Sequence, residues 1–289
     1  MSEEQNGPLV TVFIPSYNHE EYVKQSILSV VEQTWKNVEL IVVDDGSPDG
    51  SVKLLSALSK EYGFSFTAQK NKGLTATLND ALANAKGKYF CMLSSDDIIF
   101  PDKLEMQVAF MEGRPDVGLC GGGAIHIDKE GATLSTGKKL GYAELDFDDV
   151  YMDKKKGPTA PSMMARTEAL RNVGGYDPDI RLEDMDMWLK LSYAGWKIVC
   201  LEREFCYYRV HEANTYRNLE FMLDSLLASW SKYSDHPAWP EMRNRFIIST
   251  FLKATERNKK LAIKLVPRIP VKAYNMKVIR GMLRLASRW

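Results

Sequence analysis

The chain of 289 residues lacks the marks of disulfide scaffolds, zinc modules, membrane spans and polyanion binders. Its four cysteines, Cys91, Cys120, Cys200 and Cys206, are scattered in mostly apolar surroundings with no CxxC pair. Neither a structural zinc nor a dithiol centre is expected, and they read as buried reduced thiols. No stretch approaches the roughly 18 apolar residues of a membrane span. The opening MSEEQNGPLV has neither a basic segment nor an apolar core of secretory type, so a cytoplasmic location is expected. Basic and acidic residues cancel at 38 each, which argues against a general nucleic-acid binder. No G-x-G-x-x-G follows the first apolar run, which ends in FIPSYN, and a dinucleotide dehydrogenase is disfavoured.

What is present is an average globular composition, 45% hydrophobic and 26% charged. Apolar, β-rich runs begin at Val10, Val38, Phe64, Lys88 and Val117, with amphipathic segments such as EEYVKQSILSVVEQ and LTATLNDALANA between them. That rhythm is about one βα unit. Continuous apolar runs suit strands buried on both faces, so residues 9 to about 125 predict an α/β, Rossmann-like, mostly parallel central sheet flanked by helices. The stretch from about 126 to 160 mixes charge, Gly and Pro and reads as a hairpin or excursion. A helix over LEDMDMWLKLSYAG and a strand over WKIVCLE follow, and beyond His211 the pattern is helical.

In open α/β sheets ligands sit at the carboxyl ends of the strands. The residues there are Pro15-Ser16-Tyr17-Asn18, Asp44-Asp45-Gly46-Ser47 and Ser94-Ser95-Asp96-Asp97. Carboxylates on neighbouring strand ends repel one another and a phosphate alike; a divalent cation with a nucleotide resolves the conflict. Such pairs also serve as turn formers and helix caps, and for Asp44-Asp45 alone that reading stays open. Gly121-Gly122-Gly123 reads as a tight turn or bulge. A second acidic group, Glu183, Asp184 and Asp186, cannot share one helical face. A carboxylate there can act as general base, or the group can be an acidic helix start favoured by the helix dipole.

Charge is unevenly spread. From Lys253 to Trp289 there are eleven Lys or Arg against Glu256 alone, which leaves 27 basic and 37 acidic residues before them. Basic residues alternate with Leu, Ile, Val, Met and Trp, as in a helix lying on an anionic membrane surface. Packing of this tail on the acidic body is the other reading, and Pro267 and Pro270 exclude one long helix.

Taken together, VTVFIPSYNHEEYVKQSILSVVEQTW, VELIVVDDGSPDGS, NKGLTATLNDALANAKGKYFCMLSSDD and GGYDPDIRLEDMDMWLKL resemble the ordered motifs of the family 2 glycosyltransferases of GT-A fold, over about residues 8 to 215. The resemblance implies an inverting transfer from a nucleoside-diphosphate sugar, with a UDP or dTDP sugar as donor, a glycan or lipid-linked acceptor, and Mg²⁺ or Mn²⁺ as cation. By position, Pro15, Ser16 and Tyr17 would line the nucleoside pocket, Asp44 would accept from the base, and Asp96 and Asp97 would hold ribose, diphosphate and metal. Ser94 stands where many relatives carry a first aspartate and Leu78 where many carry arginine; Lys72 is the candidate to supply the missing positive charge. Asp184 would be the base, and Glu183 would contact the acceptor or orient the site. Trp188 would stack on a sugar or belong to the core. Tyr207-Tyr208-Arg209-Val210-His211 resembles the family's Y-R-x-H, in which His211 would approach metal or diphosphate. His19, His126 and His236 read as ordinary surface or loop residues.

The division expected is a transfer domain over 1–215, with a nucleotide-sugar half about 8–125 and an acceptor half about 126–215, followed by a helical basic extension over 216–289. The setting implied is bacterial surface polysaccharide or lipid-linked oligosaccharide assembly, in the cytoplasm or peripherally on the inner face of the cell membrane. A nucleotidyltransferase would need a Gly-rich basic loop where FIPSYN stands. A catalytically silent nucleotide-sugar-binding subunit would not need Glu183-Asp184.

Overall fold

The computed structural model describes residues 7–136, 140–212, 214 and 217–287. The elements run β1 (Val10–Ser16), α1 (Val23–Val31), β2 (Val38–Asp44), α2 (Ser51–Tyr62), β3 (Ser65–Ala68), α3 (Leu74–Asn84), β4 (Tyr89–Met92), β5 (Ile98–Ile99), α4 (Lys103–Glu112) and β6 (Val117–Ile127). Next come β7 (Thr133–Thr136), β8 (Ala143–Leu145), α5 (Phe147–Tyr151), β9 (Met164–Arg166), α6 (Thr167–Asn172), α7 (Glu183–Tyr193) and β10 (Lys197–Arg209). Four helices follow: α8 (Leu219–Ser231), α9 (Trp239–Arg257), α10 (Lys259–Leu265) and α11 (Met276–Ser287).

Two compact units result, one of residues 1–179 and 187–211, the other of 180–186 and 212–289. In the first, the strand order is β3-β2-β1-β4-β9-β6-β10-β5, with β7 on β6 and β8 on β10. Pairing is parallel from β3 to β4 and between β6 and β10. It is antiparallel where β9 joins β4 to β6 and where β5 meets β10. The sheet is therefore mixed; the three-residue β9 that supplies the central antiparallel link is too short to show a period of its own in the sequence. Since β2 and β4 flank β1 on opposite sides, the order in which successive strands are added reverses at β1, and the carboxyl ends of the parallel strands β1, β2 and β4 open onto a common rim.

Burial follows the apolar runs unevenly: every residue of β1 but Pro15 is buried, β2 buries only Leu40, Val42 and Asp44, and the edge strand β3 is largely exposed because it pairs on one side only. Val23, Ile27 and Val30 of α1 recur at helical spacing and join the same core as Val10, Val12, Ile14 and Val42. Truncating such a side chain, Ile27→Ala for example, costs about 2–5 kcal/mol. The buried polar positions of α1 and of the turn after it do different work. Ser26 Oγ donates to Asp97 O at 2.6 Å, Ile99 N donates to Ser29 Oγ at 3.2 Å, and Gln33 Nε2 donates to Phe100 O at 2.7 Å. Helix α1 thus pins the turn that carries Asp96 and Asp97.

Gly121-Gly122-Gly123 forms no turn; it lies in the middle of β6. Opposite it β10 bulges, with register shifts between Cys200 and Cys206. A Cβ on Gly122 would meet Arg203 O at 2.1 Å, so the glycines admit the bulge by letting two backbones approach. The expected strand WKIVCLE continues through that bulge to Arg209, which carries Tyr207, Tyr208 and Arg209 along the sheet. All four cysteines are free and buried.

In the second unit α8 to α11 enclose Leu223, Ile247, Phe251, Ala254, Leu261, Val278 and Leu285. Asn258 ends α9 and caps α10, its Oδ1 accepting from Leu261 N at 3.1 Å. Around Pro267 and Pro270 the chain makes two short 3-10 turns, and α11 starts afresh at Met276. Buried Gly281 lets α11 approach α9, where a Cβ would meet the Phe251 ring at 2.8 Å. Arg288 and Trp289 lie outside the described residues.

Candidate active site

The rim is built from three strand ends in register. Ser16 of β1 stands opposite Asp44 of β2, and Leu93 N, just past β4, donates to Phe13 O at 2.9 Å. Pro15 is half-buried, Tyr17 is 49% exposed, and Ser16 is buried with no partner for its Oγ among the described residues. Asn18 takes a left-handed φ of 59° and donates its N–H to Ser47 Oγ at 2.9 Å. Both aspartates after β2 are tied into turns. Asp44 accepts from Ser47 N at 2.8 Å and Ser47 Oγ at 2.6 Å. Asp45 accepts from Gln69 Nε2, Lys72 N and Gly73 N at 2.8 to 3.0 Å. Gly46 takes a φ of +84° and a Cβ there would crowd Asn71 N at 2.9 Å, so the turn demands glycine. Lys72 reaches the rim through its main chain, while its Nζ pairs with Asp80. Leu78 is fully buried in the core.

The chemistry concentrates around Asp96. Its Oδ2 lies 2.8 Å from His211 Nε2. Its main-chain O accepts from Arg209 Nε at 2.9 Å. Neighbouring Asp97 turns to the main chain instead, Oδ1 accepting from Arg209 N at 2.8 Å, and its Oδ2 is buried without a partner. Burial, and then the charge of Asp96, pushes the Asp97 carboxyl well above the usual range, against the opposing Arg209. His19, which the sequence leaves among ordinary loop residues, is also here. Its Nδ1 is 2.7 Å from Ser95 Oγ, and donor atoms of His19, Asp96 and His211 lie within 4.8 Å of one another. Burial lowers the proton affinity of His19, partly offset by Asp96. No sequence signal marks His19 out, since its partners are brought together by strand pairing. His126 lies apart on β6, its ring centroid 5.5 Å from that of Tyr208.

Arg209, only 1% exposed, organises this corner. Its guanidinium also donates to Asp128 O and Lys129 O at 3.0 Å and to Gln25 Oε1 at 2.6 Å, and lies 4.8 Å from the centre of the Tyr22 ring. Tyr22 in turn stacks on the His211 ring.

The ED segment belongs to the second unit. Glu183 and Asp184 open α7 and are half-buried. Burial, then the neighbouring Asp184 charge, pushes Glu183 up to about 7. Burial also raises Asp184, opposed by Met185 N, which donates to its Oδ1 at 2.7 Å. Buried Asp186 pairs with Lys232 at 2.8 Å and holds the segment on α8 and its following turn. Trp188, in the first unit, is 9% exposed; its Nε1 donates to Met163 Sδ at 3.0 Å and Gly157 closes over the ring. The ring serves as core.

Comparisons agree with this architecture. The model of the family described as Glycosyl transferase family 2 matches residues 11–174. The uncharacterized glycosyltransferase MJ1057 of Methanocaldococcus jannaschii is 31% identical over 223 residues, 75% of this chain and 76% of that protein. The uncharacterized glycosyltransferase RT0329 of Rickettsia typhi is 29% identical over 244 residues, 81% of this chain and 74% of that one. Among solved structures, S. aureus TarS 1-349 in complex with UDP-GlcNAc superposes with a TM-score of 0.65 at 17% identity, covering 96% of this chain and 80% of that chain. This chain spans 52% of a longer TarS chain. The mannosyltransferase PcManGT from Pyrobaculum calidifontis, in complex with GDP-Man and Mn²⁺, gives 0.60 at 16% identity, covering 97% and 86%. With the fold shared by these structures and the family model matched over the strands that build the rim, the chain belongs to glycosyl transferase family 2.

Proposed function

We propose that the chain is an inverting, cation-dependent glycosyltransferase, hexosyltransferase-like, that moves a sugar from a nucleoside-diphosphate sugar to a hydroxyl of a glycan or lipid-linked acceptor. The observation that carries this reading is the convergence of Asp96 and His211 beside the ends of β1, β2 and β4, the place where open α/β sheets receive nucleotides. Fold neighbours solved with UDP-GlcNAc or with GDP-Man and Mn²⁺ support a nucleotide-sugar donor. We take the donor to be a UDP or dTDP sugar and the cation to be Mg²⁺ or Mn²⁺.

On this reading Pro15, Ser16 and Tyr17 line the nucleoside pocket, where the unpartnered Ser16 Oγ has a hydrogen bond to offer, and Asp44 accepts from the base. Lys72 is a rim residue whose Nζ would have to leave Asp80 to reach phosphate. Asp96 and His211 would hold the cation: imidazole and carboxylate are fitting donors, and the two already face each other at 2.8 Å. Bound there, a divalent cation stabilises the charge that grows on the departing diphosphate. Asp184 takes the proton of the acceptor hydroxyl while that oxygen bonds to the anomeric carbon and the bond to the diphosphate breaks on the opposite face, which inverts the centre. Burial raises the proton affinity of Asp184, which suits it to accept a proton, with Glu183 orienting the acceptor. Trp188 supports α7 from the core.

The transfer domain is taken as 1–215 and the basic extension as 216–289, with bacterial surface polysaccharide or lipid-linked assembly at the inner membrane face as the setting. No helix among the described residues is long and apolar enough to cross a membrane. An interfacial contact is supported by α11, whose outer stripe Met276, Ile279 and Leu283 is 63%, 41% and 63% exposed beside Lys277, Arg280 and Arg284.

Calorimetric binding of UDP, dTDP, GDP and CMP, each with and without Mn²⁺, tests the donor. Cation-dependent binding of one nucleotide is expected. Asp184→Asn should keep that binding and lose transfer by on the order of 10²–10⁴-fold. Binding of none, or intact transfer by Asp184→Asn, would refute the reading.

A further inference from the structure

We infer that His19 is a third ligand of the rim cation, and that the resulting site of two imidazoles and one carboxylate selects Mn²⁺ over Mg²⁺. The inference rests on the reading of this rim as the cation and diphosphate site. Three observations carry it. Donor atoms of His19, Asp96 and His211 already lie within 4.8 Å of one another, a spacing that one ion can bridge from one side, leaving its remaining positions to diphosphate oxygens and water. The two imidazoles are held, not merely near: their ring centres are 5.8 Å apart, and Tyr22 stacks on His211 while standing edge-on to His19. Finally, the His19 ring has a hydrogen-bonding neighbour able to orient it. Ser95 Oγ, 2.7 Å from His19 Nδ1, can accept from Nδ1–H and leave Nε2 with the lone pair that a metal requires.

The backbone is set up for the same end. The left-handed Asn18 turns the chain at the end of β1, and His19 O then accepts from Tyr22 N at 3.0 Å and Val23 N at 2.9 Å, which locks His19 to the start of α1. Serine, glutamine or any other side chain at this position would meet the same backbone, but only an imidazole brings a borderline nitrogen donor to Asp96. Mg²⁺ prefers an all-oxygen octahedron and dehydrates reluctantly, whereas Mn²⁺ accepts imidazole. Two nitrogen donors in one site therefore rank the two ions, a property that the carboxylates of the motif could not confer.

The test uses the full chain and MnCl₂ alone. Free Mn²⁺ is followed by its electron paramagnetic resonance signal, and the bound ion by nitrogen modulation of its spin echo. Two imidazole couplings are expected in the wild type and one in His19→Gln. Displacement of Mn²⁺ should need a Mg²⁺ excess on the order of tenfold or more, and that excess should shrink by on the order of tenfold in His19→Gln. His126→Gln, which alters a half-buried histidine on β6, should leave both couplings in place. A single coupling in the wild type, which needs no variant to fold, would overturn the inference while leaving a cation at Asp96 and His211. Unchanged couplings in His19→Gln would do the same. No bound Mn²⁺ in the wild type would overturn it together with the cation site itself.

Discussion

Asp96 Oδ2 lies 2.8 Å from Nε2 of His211, a residue 115 positions further along the chain. Asp97, its direct neighbour, spends one oxygen on the main chain of Arg209 and leaves the other buried. Two adjacent carboxylates thus take different parts: Asp96 faces the imidazoles, and Asp97 fastens the turn to β10. Asp96→Asn is expected to lower Mn²⁺ affinity by about 10–100-fold, and Asp97→Asn by much less, since its amide oxygen can still accept from Arg209 N. Calorimetric titration with Mn²⁺ separates them; equal losses would show that both bind the ion.

Arg209 bridges Asp96 O, Asp128 O, Lys129 O and Gln25 Oε1 from a buried position. Arg209→Met strands these acceptors without solvent and is expected to cost about 3–5 kcal/mol in urea unfolding. Arg209→Lys should recover only part of that, because one ammonium cannot span acceptors spread around a planar guanidinium. Full recovery by lysine would show that charge alone matters.

Glu183 is raised from its ordinary 4.5 to about 7, burial being the larger cause. The folded state therefore favours its protonated form. That contribution to stability is fully present below about pH 4.5 and is lost as the pH rises through about 7. Glu183→Gln should flatten this part of a plot of unfolding free energy against pH between those limits. A slope identical to that of the wild type would assign the loss to other groups.

The outer stripe of α11 faces away from Val278 and Leu285, which are buried in the second unit. Replacing Ile279 and Leu283 together by glutamate should abolish co-sedimentation with vesicles containing anionic lipid and leave the melting temperature within a few degrees. Binding that survives the double substitution would move the contact elsewhere.

Much of this protein is determined locally. The continuous apolar runs of β1 and β4, the prolines that interrupt the tail, and the basic excess after Lys253 are each legible within a short window, because a strand buried on both faces needs apolar residues in succession and proline stiffens its own backbone. The turn chemistry of Asp44-Asp45-Gly46-Ser47 is equally local, although the sequence left open whether those carboxylates serve turn or ligand, and the structure shows them engaged with Ser47 and with the 69–73 segment. Tertiary structure decided the rest. Strand β9 exists because Tyr89 and Leu119 offer pairing edges to Arg166 and Ala165, not because three residues carry a period. The glycines at 121–123 became strand because β10 bulges against them. His19 gained its place by the same route: β1 delivers it, the turn after β4 brings Ser95 and Asp96, and the return of β10 brings His211. Donor atoms so far apart in the chain meet through strand pairing, and no spacing along the sequence records which strands pair.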